Sequence, residues 1–197
     1  WAHYQRAWLL AITDPDAALP HLQAAARDPA YRALAFDLLS LTQTADAHLP
    51  MQVGLLLAER ERWPEAEYAF LQAATADGPE AEAQAYAAIA RDQQGKDGSA
   101  AIQRALNLAP DNAQVRFLDG LHQRLTGSRS ASLAAFQLAA ALAPTNPAYA
   151  AELGAAYALV DDLTQAEHWY QRAVTLSGGD PRFQQLLDEF LAQAIPN

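Results

Sequence analysis

Five histidines are the side chains best suited to metal or acid–base chemistry: His3, His21, His48, His122 and His168. None has the spacing that sets two imidazoles on one face of a helix. They are scattered, nearly one to a helical segment, and read as surface or hydrogen-bonded histidines. Asp161-Asp162 has the look of a carboxylate pair, but it stands where a helix begins. There, acidic side chains stabilise the amino-terminal end of the helix dipole. Glu59-Arg60-Glu61-Arg62 is an alternating charge run and reads as a solvated face. There is no cysteine, which excludes disulfides, thiolate metal sites and cysteine nucleophiles. No G-x-S-x-G occurs, and no strand is available to carry a glycine-rich phosphate loop. The residues therefore point to no catalytic group, no metal and no cofactor.

The elements that hold these residues are helical. The chain has 197 residues, 51% hydrophobic, with a mean hydropathy of -0.14. Alanine makes up about a quarter of it and favours helix. β-Branched residues are sparse, so strands are not expected. The formal charge is -10 and the isoelectric point about 4.8. Nucleic acid and anionic membrane, which need clustered Lys and Arg, are poor partners for such a chain. Lys96 is its only lysine. No run of about 18 apolar residues is present to span a bilayer. The sequence opens at Trp1 with neither an initiator methionine nor a signal pattern. It reads as a soluble segment of a longer bacterial protein, of unknown compartment.

The helices repeat. Residues 147–178 carry Leu153-Gly154-x-x-Tyr157, then Ala166-x-x-x-Tyr170-x-x-Ala173. Gly54, Leu57, Ala66, Phe70 and Ala73 fall in the same register in 47–78. Gly120, Gly127, Phe136, Ala139 and Pro144 do so in 113–144. The stretch 79–110 is weaker, with Tyr86, Ile89, Gly98, Ile102, Ala105 and Pro110 in the equivalent columns. Residues 1–29 hold a trimmed copy built on Trp1, Tyr4 and Trp8, then Ala17, His21 and Ala24. The alanines Ala24, Ala73, Ala105, Ala139 and Ala173 are separated by 49, 32, 34 and 34 residues. The first interval is 34 plus a 15-residue insertion. A helix over 30–45, with Tyr31, Leu34, Ala35, Leu38, Leu39 and Leu41 on one face, fills that insertion. A last amphipathic helix over 180–194 carries Phe183, Leu186, Leu187, Phe190 and Leu191 and reads as a cap.

This pattern resembles the tetratricopeptide repeat (TPR), a helix–turn–helix unit of 34 residues. One helix pair cannot bury its apolar stripe alone, so such units stack. The resemblance implies an all-α solenoid of about five repeats with one inserted helix and a capping helix, wound as a right-handed superhelix over 1–197. It also implies a protein–protein interaction module without catalysis, a scaffold or adaptor that receives a peptide or helix in a concave groove. The alternative is an accessory domain of a larger membrane-bound or signalling enzyme. Self-association through an aromatic amino-terminal edge, at Trp1 and Trp8, is a third reading.

In the family the groove is lined by the first helix of each repeat. Carrying those columns over gives His48, Met51, Leu55 and Glu59; then Ala83, Ala87 and Arg91; then Gln114, Phe117, Leu121, Arg124 and Leu125; then Ala151, Ala155 and Leu159. The surface is small or apolar, and it lacks the lysine–asparagine carboxylate clamp of chaperone-binding relatives. The expected ligand is therefore an apolar or amphipathic segment of a protein. Part of this surface can equally be covered by the inserted helix or by neighbouring repeats. Asp119 stands in the column that holds Leu153 next to Gly154. A carboxylate there needs a partner, and Arg116 and Gln123 lie one turn to either side.

Overall fold

The computed structural model describes residues 2–44, 48–75 and 80–194. Within them the chain is all helical, with twelve helices and no strand. In chain order they are α1 (Ala2–Thr13), α2 (Pro15–Ala25), α3 (Arg32–Thr44), α4 (Leu49–Glu59), α5 (Trp63–Ala73) and α6 (Glu80–Gln93). There follow α7 (Ser99–Leu108), α8 (Ala113–Leu125), α9 (Arg129–Leu142), α10 (Pro147–Leu159), α11 (Leu163–Leu176) and α12 (Pro181–Ala194). The chain forms two compact units, Trp1–Ala101 and Ile102–Asn197.

The turns explain why the helices fold back on one another. Four residues in turns between successive helices have positive φ: Glu61 (56°), Gly95 (70°), Gly127 (90°) and Asp161 (61°). They recur at intervals of 34, 32 and 34 residues. Each closes its helix in the same way. The residue after it donates its N–H across six residues: Arg62 to the carbonyl of Leu57 at 2.8 Å, Lys96 to Arg91 at 3.0 Å, Ser128 to Gln123 at 2.8 Å and Asp162 to Tyr157 at 3.1 Å. This is the Schellman closure, which satisfies the last carbonyls of a helix through one left-handed residue. Gly178 (φ 68°) repeats it at the end of α11. Asp161 is thus the left-handed residue of the turn. Asp162 is the cap, its carboxylate accepting from the N–H of Gln165 at 3.1 Å.

The opposite turns start their helices with side-chain caps. Asn112 accepts from the N–H groups of Gln114 and Val115, and Asn146 from those of Ala148 and Tyr149. Asp14 and Asp180 cap α2 and α12.

Within each unit the helices pack in antiparallel pairs, α1 on α2, α4 on α5, α8 on α9 and α10 on α11. Close crossing needs a residue without a side chain. A Cβ on Gly54 would lie 2.6 Å from the Phe70 ring, and one on Gly120 2.7 Å from Phe136. At Gly154 the gap is wider, 3.2 Å to the Tyr170 ring and to the carbonyl of Ala166. Phe70 and Phe136 are fully buried, so neither ring can move aside.

In the first unit, α3 packs on α2 and α1 and also touches α4. Tyr31, just before α3, stacks on Tyr4 with ring centres 4.7 Å apart. Burial pushes the Tyr4 hydroxyl up to about 12. Trp8 is buried against the edge of Tyr68, 5.7 Å between ring centres. The exposed aromatic edge expected at Trp8 is therefore filled by α5; Trp1 lies outside the described residues. In the second unit, α12 packs on α11 and α10, and Leu187 is its one buried residue among those described.

Candidate interaction surface

In the second unit, the first helices of two successive pairs, α8 and α10, meet through side chains. Phe117 of α8 stacks on Tyr149 of α10 at 4.7 Å and sets its edge against Phe136 of α9 at 5.6 Å. The Tyr149 hydroxyl donates to Gln114 Oε1 at 2.6 Å. Further along α8, Arg124 donates to Glu152 at 2.5 Å and lies over the Phe136 ring. Both members of that pair are about one-third exposed. The Tyr170 hydroxyl is raised by burial, with a further push from Glu152 that Arg124 opposes.

Around this seam the apolar side chains differ in access. Phe117 and Leu121 are half-buried and pack on the core of Phe136 and Leu153. Leu125 and Leu159 are open, 46% and 39% exposed. Ala155 is half-buried, whereas Ala151 is in the core.

In the first unit the expected surface is largely closed. Met51 is buried in the core, as are Ala83 and Ala87. These three face neighbouring helices, because the face of α4 and α6 that carries them is the packed one. Leu55 and Glu59 line a cleft with Gln52 and Leu56 of α4 and Asp37, Ser40 and Leu41 of α3. Arg60 closes it with a 2.5 Å ion pair to Asp37. His48, just before α4, is exposed.

Arg91 is engaged in structure. Its Nη1 donates to Glu67 at 2.8 Å and its Nε to the carbonyl of Asp97 at 2.9 Å. Glu67 is a buried carboxylate that also accepts from Gln94 Nε2 at 2.8 Å and Lys96 Nζ at 3.0 Å. Burial alone raises its carboxyl, but the bonds from Lys96, Gln94 and Arg91 outweigh that and hold it below the usual carboxylate range. The only lysine of the chain thus locks a helix turn. Asp119 is buried and accepts from Gln123 at 3.1 Å. Arg116 turns away, donating to the carbonyl of Pro110 at 2.7 Å.

One contact has no signature in the sequence. His3 on α1 and His21 on α2 bring their Nδ1 atoms within 3.1 Å. They lie 18 residues apart, so no same-helix spacing reveals them. Among the described residues, no group of three or more His, Cys, Asp or Glu could hold a metal ion. No described helix is long and apolar enough to cross a membrane.

No family model and no curated protein matches the sequence. Solved structures do. TTC0263, a thermophilic TPR protein of Thermus thermophilus, aligns over 95% of this chain and 98% of its own, with a TM-score of 0.67 at 17% identity. This chain has the tetratricopeptide-repeat fold. YrrB, described as a TPR protein with an unusual peptide-binding site, aligns over 93% of this chain and 89% of its own (TM-score 0.55, 18% identity). MamA of Desulfovibrio magneticus RS-1 aligns over 91% and 95% (TM-score 0.54, 17% identity). At these identities the likeness establishes the TPR fold. The glycine–aromatic crossings and left-handed turns described above are how this sequence builds it.

Proposed function

We propose that the chain is a non-catalytic protein-interaction module, and that the α8–α10 surface of its second unit receives an apolar or amphipathic segment of another protein. The observation that carries this reading is the pair of open leucines, Leu125 and Leu159, beside the half-buried Phe117, Leu121 and Ala155. Apolar side chains on the first-helix face of successive TPR units offer anchor points at helical spacing. The peptide-binding site named for YrrB supports such a use of the fold. The Arg124–Glu152 pair borders the anchors and supplies a polar rim. Five repeats remain the preferred reading of the chain, with Met51, Ala83, Ala87, Ala151 and Arg91 as structural rather than contact residues.

Site-specific photo-crosslinking tests this. A crosslinker at position 125 or 159 should capture one discrete protein from an extract of the native cell. The same group at Leu138, an exposed position on α9, should not. Capture only from position 138 would place the partner on the second-helix face and end this reading.

A further inference from the structure

We infer that α12 and the α10–α11 turn form a second docking surface, one that takes a basic amphipathic helix of another protein. α12 carries a helical apolar stripe, yet Leu187 is its one buried residue among those described. Leu186 is 41% exposed and Leu163, at the start of α11, 45%. Phe190 is half-buried and leans on Tyr170, with ring centres 5.2 Å apart. Two clefts open beside the Phe190 ring, one reaching Leu191 of α12 and the other Ala158 of α10. They share Leu163, Phe190 and Ala194 and so make one apolar trough. Leu186, Phe190 and Ala194 follow at four-residue spacing, a stripe two turns or about 12 Å long. A helix laid along it would present its own anchors at matching intervals.

The rim of the trough decides the occupant. Asp161 and Glu167 line it, and Glu189, exposed on α12, stands on the flank of the stripe beside Phe190. Among the described residues none of these three carboxylates is paired with a cation. Glu167 and Glu189 accept from the side-chain amides of Gln171 and Gln185. The two arginines of 158–194 are engaged elsewhere: Arg172 lies over Trp169 and donates to the carbonyl of Pro144, and Arg182 is paired with Asp180. Six carboxylates stand against those two arginines in the same stretch. An apolar trough edged by uncompensated carboxylates complements a helix with aliphatic anchors on one face and Lys or Arg along its borders. A second copy of this chain would bring the same carboxylates face to face, and an anionic bilayer would repel them.

Fluorescence anisotropy with model peptides tests this on the 197-residue chain. The probe is a labelled helical peptide of about 18 residues, long enough to hold a helix, with Leu at helical spacing and Lys elsewhere; its counterpart has Glu in place of Lys. The Lys peptide is expected to bind one per chain and at least tenfold tighter than the Glu peptide. Leu163→Ser with Leu186→Ser should weaken it at least tenfold. Both side chains are exposed, and unchanged helical circular dichroism checks that the variant folds. Asp161→Asn with Glu167→Gln should weaken it and flatten its salt dependence. Leu125→Ser, on the α8–α10 surface, should leave it unchanged. Loss of binding in Leu125→Ser alone would put the peptide on the α8–α10 surface, overturning this inference while leaving the proposed function standing. Equal binding of the Lys and Glu peptides overturns it, as does affinity that survives Leu163→Ser with Leu186→Ser. So does sedimentation showing a dimer of the parent chain that this double variant abolishes, since the trough would then be filled by a second copy.

Discussion

Gly120 lies directly against the ring of Phe136, so close that a single added carbon would sit 2.7 Å from it. Phe136 is fully buried and also meets the edge of Phe117. Gly54 and Phe70 stand in the same relation at 2.6 Å. Gly120→Ala and Gly54→Ala should each destabilise the fold by roughly 1–3 kcal/mol, the usual cost of overpacking. Gly154→Ala should be close to neutral. Its gap of 3.2 Å needs only a small shift, and alanine gains about 1 kcal/mol of helix propensity over glycine. Urea unfolding of the three variants, with exposed Thr164→Ala as a reference within about 0.5 kcal/mol, checks the order. Equal losses at all three glycines would contradict it.

The left-handed turn residues make a second test. Glu61 and Asp161 hold a conformation that costs an L-residue roughly 1–2 kcal/mol, offset in part by the looser unfolded chain of glycine. Glu61→Gly should stabilise the protein by about 1 kcal/mol and Asp161→Gly by less, because aspartate tolerates this region better. Gly127→Ala, at φ 90°, should lose a comparable amount. Thermal melts of the three variants read the sign directly.

The repeat period was legible because glycine, alanine and aromatic residues recur where helices cross, and their types follow from the crossing itself. Gly95 and Gly127 announce their turns for the same reason. Glu61 and Asp161 do not, since a turn closed by backbone bonds accepts an acidic side chain at a modest cost. The candidate surface was less legible. Column position shows which helix a residue rides on, but not whether the neighbouring helix covers it. Met51, Ala83 and Ala87 fell into the core for that reason. Contacts between helices, such as His3 with His21 or Glu67 with Lys96, have no local signature at all.

Glu67 gives the chain an acid-sensitive point. Its folded carboxyl sits below the ordinary value of 4.5 because Lys96, Gln94 and Arg91 bond the charged form against the opposing pull of burial. A depressed carboxylate contributes stability above its unfolded value, and that contribution is lost as pH falls through the folded value. The melting temperature should therefore drop as pH is lowered from about 5 toward 3, the range set by that unfolded value. Glu67→Gln should be less stable at about pH 7 and should lose less on acidification. An identical pH slope in both proteins would remove Glu67 from the account.

The last prediction separates core from surface on α8 and α10. Phe117 is stacked on Tyr149 and set against Phe136, so Phe117→Ser removes packing as well as any contact and should lower the melting temperature measurably. Leu125 and Leu159 are 46% and 39% exposed, and Leu125→Ser with Leu159→Ser should leave that temperature nearly unchanged. Under the proposed function the same double variant should weaken a crosslinked partner at least tenfold, which takes about 1.4 kcal/mol. That is less than burying one large apolar side chain supplies, about 1.5–3 kcal/mol. Affinity should depend weakly on salt, because the anchors are uncharged and the Arg124–Glu152 pair is already closed on itself. A partner whose affinity survives the double variant but collapses in Arg124→Ala would be reading charge instead, and the apolar segment would be the wrong ligand.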